Sequence, residues 1–381
     1  MTWEEARVRA HSAARAMAVR QVAPADAVGL TLAEDLRTRH PLPAFDTAAM
    51  DGFAVAGPGP WRLRGTARAG RAWPGALRPG DCVEISTGAR VPPGASGVLP
   101  LERAARTDDR VTGPVPSPGR HIRRTGEDAE AGDCLAPTGT RIGPALIGLA
   151  ATGAHDTVAV RPRPRVAVLV TGDELDRAGT PAPGRVRDAL GPLLPALVAE
   201  LGGETVALRH VPDAPDRLAG EFRRIGNADI VVVTGSTSVG RTDQLRRLLA
   251  DSAARREVDT VACRPGHPML LAELPTARWV VGLPGNPYAA LVAARTLLGP
   301  LMAGLSGRPL ARLPLMPVRG RAKAMPGHTR LVPVAWSGGE CGIVAGHRAA
   351  FLRGAAVGDA LAALPPDWAD GDPAPLLLPG A

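Results

Sequence analysis

Residues 165–174, RVAVLVTGDE, contain the run that decides the fold class. Val166 to Val170 is continuously apolar and rich in β-branched side chains, a pattern typical of a strand buried on both faces of a sheet. From Thr171 to Glu174 the residues become small or polar, so we expect the strand to end there. A strand buried on both faces must be covered by helices, and this predicts an α/β domain.

Downstream of this strand, apolar runs alternate with amphipathic segments as far as Gly304. The predicted strands are 205–209, 230–234, 258–263 and 278–282, and the predicted helices are 193–201, 216–225, 242–250 and 288–303. Apolar strands that alternate with helices predict a parallel sheet with helices on both faces. The predicted fold of this segment is therefore a doubly wound α/β domain.

The segment before residue 161 has different patterns. Apolar residues at helical spacing predict two opening helices, 3–19 with Thr2 as the N-cap and 25–36, and a further helix near 141–151. Between about 41 and 126, short apolar runs are broken repeatedly by Gly and Pro. Short apolar runs separated by Gly and Pro predict a small β-rich domain.

The chain as a whole is predicted to be a multidomain protein of class α/β plus β. Its 381 residues are too many for one core of ordinary size. Residues 161–164, Arg-Pro-Arg-Pro, predict a stiff linker, and a Pro-rich β pattern follows residue 308. The predicted domains are a helical and linker domain at 1–40 with 131–160, a β-rich domain at 41–130, the α/β domain at 161–307 and a C-terminal β domain at 308–381.

The composition excludes several classes of protein. Hydrophobic residues make up 45% of the chain and charged residues 22%, which is typical of a globular protein and excludes global disorder. The net charge is +8, but the basic residues are scattered and aromatic residues make up only 3%, so we expect no nucleic-acid partner. Cys82, Cys134, Cys263 and Cys341 form no Cys-x-x-Cys pair, which predicts neither a zinc site nor a disulfide framework. No apolar run reaches the ~18 residues of a membrane span, so we expect a cytoplasmic protein without a membrane partner.

Ligands of open parallel sheets bind beyond the carboxyl ends of the strands, and the loops at these ends are polar here. The loop Gly235-Ser236-Thr237-Ser238-Val239-Gly240 follows a predicted strand and precedes a predicted helix. Its backbone N–H groups and hydroxyls suit a phosphate, although a structural turn has the same composition. The loop lacks the endings of a P-loop and of a dinucleotide-binding loop, which argues against ordinary ATPase and NAD-dependent activities.

Charged and rigid residues follow the other strands. Glu174, Asp213 and Asp243 would place several carboxylates near the phosphate loop, which favours a divalent cation, Mg²⁺, unless Asp243 merely caps a helix. His267 is either a ligand or a solvated loop residue. The loop Pro284-Gly285-Asn286-Pro287 has a proline on each side, which suits a flat ligand.

Taken together, these loops resemble the molybdopterin molybdenumtransferase family, which includes the MoeA proteins and the E domain of gephyrin. Residues 42–55, LPAFDTAAMDGFAV, resemble the most specific signature of the family. The resemblance covers residues 3–305 well and the C-terminal part poorly. Further matching segments are 86–89 with 91–95, 124–128, 171–175, 238–240 and 283–287.

The resemblance implies a reaction in which adenylated molybdopterin is hydrolysed with Mg²⁺ present, molybdate is inserted into the dithiolene, and AMP is released. It also implies an elongated homodimer with the site in a cleft between subunits. The implied catalytic residues are Asp51, Thr87 and Asp128 from the β-rich domain of one subunit, and Glu174, Asp213 and Asp243 from the α/β domain.

The resemblance further implies roles in binding. Mg²⁺ is expected at Glu174 and Asp243, and molybdate at Arg264. The other expected cofactor-binding residues are Gly235, Ser236, Ser238, Gly240, His267, Pro284, Gly285, Asn286 and Pro287.

Several positions depart from the family pattern, and most bear on molybdate handling. Two family lysines are replaced by Thr260 and His267, and a third by Arg264, which keeps the charge. Leu190 replaces the amide of an Asp-x-Asn motif, and Arg241 replaces an acidic residue. The family's C-terminal serines are replaced around Ala349 and Ala350.

Two alternatives to an active transferase therefore stay open at the level of sequence. One is a diverged homologue that binds molybdopterin or a protein partner without efficient metal insertion. The other is a different enzyme that uses the same α/β domain with another nucleotide.

Overall fold

The computed structural model describes residues 1–214, 216–235, 244–323, 325–346 and 348–379. Its central element is a six-stranded sheet with the strand order β2-β1-β3-β6-β5-β4. The strands are β1 (Arg165–Thr171), β2 (Glu204–Val211), β3 (Ile230–Thr234), β4 (Arg255–Val258), β5 (Leu270–Glu273) and β6 (Trp279–Leu283). The helices are α1 (Trp3–Ala13), α2 (Pro144–Thr152), α3 (Leu190–Glu200), α4 (Arg217–Arg224), α5 (Gln244–Asp251), α6 (Pro287–Leu305, with a π turn at Ala294–Leu298) and α7 (Arg353–Val357).

Helices cover both faces of this sheet, which confirms the doubly wound α/β fold. Val166, Val168 and Val170 pack with α1, α3 and α6 on one face, whereas Ala167 and Leu169 pack with α4 and α5 on the other. Successive residues of a strand point to opposite faces. All five residues of this run are therefore buried in one of two separate cores.

The prediction of a wholly parallel sheet is wrong at one edge. β2, β1, β3 and β6 are parallel, but β5 is antiparallel to both β6 and β4. The strand predicted at 258–263 is also misplaced: β4 ends at Val258, and Cys263–Arg264 pairs instead with strand Thr329–Ser337 of the C-terminal sheet. β5 and β6 are joined by too few residues for a parallel crossover, so they can only form a hairpin.

The prediction of a second opening helix at 25–36 is also wrong. Only Pro24–Ala27 forms a helical turn, of the 3-10 type, and Gly29 then adopts a φ of 76°, which a continuing helix does not allow. The following residues form short strands that pair with a segment more than a hundred residues away. The strands of this region are Arg20–Val22, Thr31–Leu32, Leu36–Arg37, Cys134–Ala136 and Val158–Arg161.

The first helix is shorter than predicted. α1 starts at a capping box formed by Thr2 and Glu5, as the N-cap prediction requires. It ends at Ala13, because Ala14 is extended with a ψ of 135°.

Two further β structures flank the α/β fold. The β-rich segment forms a six-stranded sheet, in the order Gly97–Pro100, Gly52–Val55, Asp81–Ile85, Trp61–Ala67, Arg110–Thr112 and Ala105–Thr107. The C-terminal strands Leu315–Arg319, Thr329–Ser337, Glu340–Ile343, Ala360–Leu364 and Pro373–Leu377 close into a ring, since Thr329–Ser337 also pairs with Ala360–Leu364. Two further two-stranded sheets are formed by Thr47–Ala48 with Ile122–Arg123, and by Leu175–Asp176 with Val186–Arg187. The domain boundaries proposed from sequence stay a prediction.

Among the described residues, α6 is the one helix that is both long and apolar enough to be compared with a membrane span. By length and composition it is long enough to cross a membrane, but 83% of its most apolar window is buried inside the protein. Its first turn is attached to the C-terminal ring by the hydroxyl of Tyr288, which donates to the carbonyl of Leu331 at 3.0 Å. These contacts are those of a core helix.

We expect Leu169→Ala to destabilise the α/β fold by about 2–5 kcal/mol, because Leu169 is completely buried and its loss leaves a cavity. Urea denaturation followed by far-UV circular dichroism measures this change. Leu208→Ala on the neighbouring strand β2 is the control, since Leu208 is 43% exposed. An equal loss of stability in both variants would contradict the core position of Leu169.

Candidate functional site

A cavity of about 630 Å³ lies beyond the carboxyl ends of β1, β2, β3 and β6. This is the edge at which ligands of open α/β sheets bind. The cavity is lined by Thr171, Gly172, Glu174, Leu175, Val186, Arg187, Asp188, Ala189, Leu190, Asp213, Thr234, Gly235, Pro268, Pro284, Gly285, Asn286, Pro287 and Ala350. The structure therefore brings together Glu174, Asp213, Gly235 and the whole loop Pro284–Pro287, all of which were predicted from sequence.

The loop after β1 is folded tightly around Glu174. A Cβ atom added to Gly172 would lie 2.7 Å from Glu174 Oε2, so the carboxylate occupies space that only glycine leaves open. Arg185 braces the loop from outside, because its guanidinium donates to the carbonyls of Asp173 and Leu175 at 2.8 and 3.0 Å and to Asp176 Oδ1 at 2.6 Å. Arg185 thus fixes the backbone on both sides of Glu174, whose exposed side chain lines the cavity.

The loops after β1 and β2 are linked by a reciprocal pair of hydrogen bonds. The amide of Asp213 donates to Asp173 Oδ1 at 3.2 Å, and the amide of Asp173 donates to Asp213 Oδ2 at 3.4 Å. Burial raises the pKa of Asp213, the Asp173 amide lowers it, and the charges of Asp173 and Glu174 raise it further. Three carboxylates therefore interact unfavourably at one corner of the cavity.

Close backbone contact defines the floor of the cavity. The hydroxyl of Thr171 donates to the carbonyl of Thr234 at 2.6 Å, which joins the ends of β1 and β3. Gly235 follows with a φ of 84°, and a Cβ atom there would lie 2.8 Å from Thr171 Oγ1. A Cβ atom on Gly285 would lie 3.5 Å from the Cα of Gly235. The loops after β1, β3 and β6 thus pack closely against one another, and Gly235 and Gly285 remain exposed in the cavity lining.

The C-terminal part of the chain closes one side of the cavity. The amide of Ala289, in the first turn of α6, donates to the carbonyl of Ala349 at 3.0 Å, and Ala350 lines the cavity. The loop that carries Pro284 and Pro287 is therefore held between the central sheet and the C-terminal segment. The side chain of Ala350 offers no hydroxyl to the cavity at this wall.

Asp188, which lines the cavity, pairs with His210 on β2, and this pairing was not identified from the sequence. Asp188 Oδ1 accepts hydrogen bonds from the amides of Leu190 and Gly191 at the start of α3, both at 2.9 Å. Its Oδ2 lies 2.7 Å from Nε2 of His210 on β2. The position of Asp188 just before a helix was a visible capping signal, but its pairing with His210 depends on the packing of α3 beside β2.

Arg187 was also missed. It belongs to the short strand Val186–Arg187 and lines the cavity as its cationic side chain. No motif of the sequence pointed to it, because exposed arginines are common throughout this chain. Among the described residues that line the cavity, Arg187 is the only arginine.

Asp51, Thr87 and Asp128 do not line this cavity within one chain. Asp51 Oδ1 accepts hydrogen bonds from the amide and the hydroxyl of Thr87, at 2.7 and 3.2 Å, and so holds the turn after strand Asp81–Ile85. Asp128 is exposed, and its amide donates to the carbonyl of Leu42 at 2.9 Å. The three residues lie at the surface of the β-rich segment.

Arg264 and His267 also lie outside the cavity lining, although Pro268 belongs to it. Arg264 and Thr260 are exposed. Nδ1 of His267 donates to the carbonyl of Val261 at 2.8 Å, and its ring lies 6.0 Å from that of His328. His267 therefore has a local structural contact in this chain.

Four predicted residues, Ser236, Ser238, Gly240 and Asp243, lie outside the described residues, as does Arg241. Within the described ranges, no group of three or more His, Cys, Asp or Glu side chains has the arrangement of a metal site.

Comparison with known proteins agrees with this geometry. Residues 1–153 match the MoeA N-terminal region (domain I and II), and residues 167–304 match a probable molybdopterin binding domain. A molybdopterin molybdenumtransferase from Nostoc sp. is 35% identical over 294 residues, which cover 73% of this chain and 67% of the relative. Molybdopterin molybdenumtransferase 1 from Mycobacterium tuberculosis is 33% identical over 362 residues, which cover 84% of this chain and 83% of the relative.

The fold also matches a solved structure along its full length. A molybdopterin biosynthesis moeA protein from Pyrococcus horikoshii OT3 superimposes with a TM-score of 0.81 at 21% identity and covers 99% of both chains. The resemblance inferred from the signature at 42–55 and the strand-end loops is thereby confirmed. This chain belongs to the molybdopterin molybdenumtransferase (MoeA) family.

Proposed function

We propose that this protein acts in molybdenum cofactor biosynthesis as a molybdopterin molybdenumtransferase, which inserts molybdate into adenylated molybdopterin and releases AMP. The observation that carries the proposal is the convergence of Glu174, Asp213, Gly235 and the loop Pro284–Pro287 on one cavity at the sheet edge. A volume of about 630 Å³ is within the range of small-molecule and cofactor sites. The relatives that support this function carry the transferase name.

The acidic corner of the cavity supplies carboxylate donors for Mg²⁺, although the described residues by themselves form no group of three metal-binding side chains. Glu174, Asp173 and Asp213 lie close enough to influence one another electrostatically, and carboxylate oxygens are the donors that Mg²⁺ prefers. We propose that Glu174 and Asp243 hold the ion, as the family pattern implies. When bound, Mg²⁺ neutralises the charge of phosphoryl oxygens and orients them. Within the protein, the loop backbone braced by Arg185 presents the carboxylate of Glu174 to the cavity for this purpose.

The other cavity residues suit the phosphate end and the pterin end of the proposed substrate. Gly235 and Gly285 are exposed in the cavity lining and carry no side chain, which leaves room for a phosphate beside these loops. Arg187 supplies a cation for the anionic substrate or for molybdate. The loop Pro284–Pro287 forms a rigid wall against which a flat pterin ring can lie.

We further propose that the complete site is assembled in a cytoplasmic homodimer. Asp51, Thr87 and Asp128 lie outside the cavity of their own chain, although they stand in the segments most specific to the family. A two-fold dimer would bring the β-rich segment of one subunit to the cavity of the other, and such isologous dimers are the commonest assembly.

A diverged homologue that only binds molybdopterin is less favoured. The departures at Thr260 and His267 support it, but both side chains lie outside the cavity lining of this chain. An assay with adenylated molybdopterin, Mg²⁺ and molybdate separates the two functions. An active transferase releases AMP and forms the molybdenum cofactor, whereas AMP release alone or pterin binding alone would support the diverged homologue.

We expect Glu174→Gln to lower Mg²⁺-dependent turnover by more than about 100-fold, because the amide cannot replace the negative charge that binds the metal. The measurement is AMP release at saturating substrate, and circular dichroism verifies the fold. The control is Glu102→Gln, at an exposed glutamate of the β-rich segment, which should retain turnover. Full activity of Glu174→Gln would remove the metal-binding role of this residue.

The shared site predicts complementation between two inactive variants. Asp51→Asn and Glu174→Gln subunits, co-expressed in equal amounts, should regain about a quarter of wild-type AMP release, because half of the dimers then contain one intact site. Glu174→Gln mixed with Asp213→Asn is the matched control and should regain nothing, since both changes affect the α/β side of the same site. No recovery in the first mixture would place the site within one subunit.

We expect His210→Leu to leave Asp188 Oδ2 without its donor and to destabilise the cavity wall by about 1–3 kcal/mol. The loss should also raise KM more than it lowers kcat, because Asp188 supports the wall rather than the reacting atoms. His210→Gln, whose amide can donate to Asp188, should restore most of the affinity. Identical kinetics for His210→Leu and the wild type would show that the pair has no part in shaping the cavity.

A further inference from the structure

A second cavity, of about 190 Å³, lies between α1, α6 and the segment 308–313. No residue lines both this cavity and the one at the sheet edge. Its charged lining residues are Arg7, Arg295 and Arg308, and none of the described residues that line it is acidic. The remaining lining is apolar or glycine, with leucine, proline and alanine side chains.

Arg7 is the most deeply buried of the three arginines. Its side chain is only 4% exposed and lies over the ring of Trp3, with its Cζ 5.1 Å from the ring centroid. One guanidinium nitrogen donates to the carbonyl of Ala311 at 3.2 Å, and another lies 3.6 Å from the largely exposed carboxylate of Glu4. Its Nε has no hydrogen-bond partner. Burial lowers the pKa of Arg7, an effect that Glu4 only partly offsets.

The other two arginines have different partners. The guanidinium of Arg308 binds a neutral backbone carbonyl, whereas that of Arg295 binds one carboxylate and one carbonyl. Arg308 donates to the carbonyl of Leu201 at 2.7 Å, and burial together with the nearby charge of Arg141 lowers its pKa. Arg295 pairs with Glu200 at 2.7 Å and donates to the carbonyl of Leu378 at 3.3 Å. Arg7 and Arg308 therefore lack a buried carboxylate of their own among these contacts.

A buried guanidinium that has no buried counter-charge is costly, and an anion that enters beside it relieves the cost. The effect is strong here because apolar walls screen charges poorly. The cavity volume of about 190 Å³ is several times the ~30 Å³ that one water molecule occupies in the liquid. The space thus suits a small anion and is too small for a nucleotide, since ligand pockets for such molecules start at about 300 Å³.

We propose that this cavity binds one small tetrahedral oxyanion, held by charge-assisted hydrogen bonds from Arg7 and Arg308. Phosphate, sulfate and molybdate share this shape and charge. The site is separate from the proposed substrate cavity and does not depend on the activity proposed for it.

Equilibrium dialysis of the full-length protein against sulfate, phosphate and molybdate, each alone, tests the site. Chloride at equal ionic strength serves as the reference for non-specific binding. We expect one sulfate or phosphate per chain, bound with an affinity that chloride does not match, and an increase in the unfolding temperature. Competition between molybdate and sulfate for the same site would show that the cavity selects by shape and charge, whereas preferential binding of one of them identifies the favoured oxyanion.

Arg7→Met and Arg308→Met should each weaken sulfate binding by at least about tenfold, because each removes one charge from the cavity. Arg312→Met is the matched control, since Arg312 lies on the same segment but is exposed and does not line the cavity. Circular dichroism verifies that each variant is folded. If Arg7→Met does not fold, the sulfate affinity of Arg308→Met tests the proposal. Absence of oxyanion binding by the wild type, or unchanged binding in the folded arginine variants, overturns the proposal.

Discussion

The parallel pairing of β1 with β2 and β3 is the constraint on which the candidate site depends. Parallel strands have their carboxyl ends at the same edge of the sheet, so the loops that follow them must meet there. Glu174, Asp213 and Gly235 belong to three such loops and are separated by many residues in sequence. The apolar strands that form the core thus also determine where the polar loops collect.

The charges around this edge explain why a cation belongs to the proposed mechanism. Burial is the main cause of the raised pKa of Asp213, and the nearby charges of Asp173 and Glu174 raise it further. The substrate proposed for the cavity is itself anionic, and Arg187 is the single arginine among the described lining residues. Carboxylates beside an anionic substrate are favourable only when a divalent cation lies between them. The acidic corner is therefore better suited to a metal-dependent reaction than to direct binding of an anion.

Much of the site could be predicted because its residues follow recognisable strands. Glu174, Asp213 and the loop Pro284–Pro287 were located by the apolar runs that precede them, and the structure places them around one cavity. His210 was not predicted, because its partner Asp188 lies on a different element and sequence spacing carries no signal for their contact. Arg264 and His267 were expected beside the cavity, yet the strand predicted there pairs with the C-terminal sheet and moves them aside.

The sequence by itself determined the family, the doubly wound fold and the identity of the strand-end loops, because apolar periodicity and short signatures are local properties of the chain. The tertiary structure alone decided that residues 25–36 form a helical turn and short strands in place of a helix, and that Arg7 and Arg308 line a second cavity. Both features arise from contacts between segments far apart in sequence, whereas the antiparallel direction of β5 follows from its short link to β6. Such contacts depend on the packing of whole elements, which no local pattern of residues specifies.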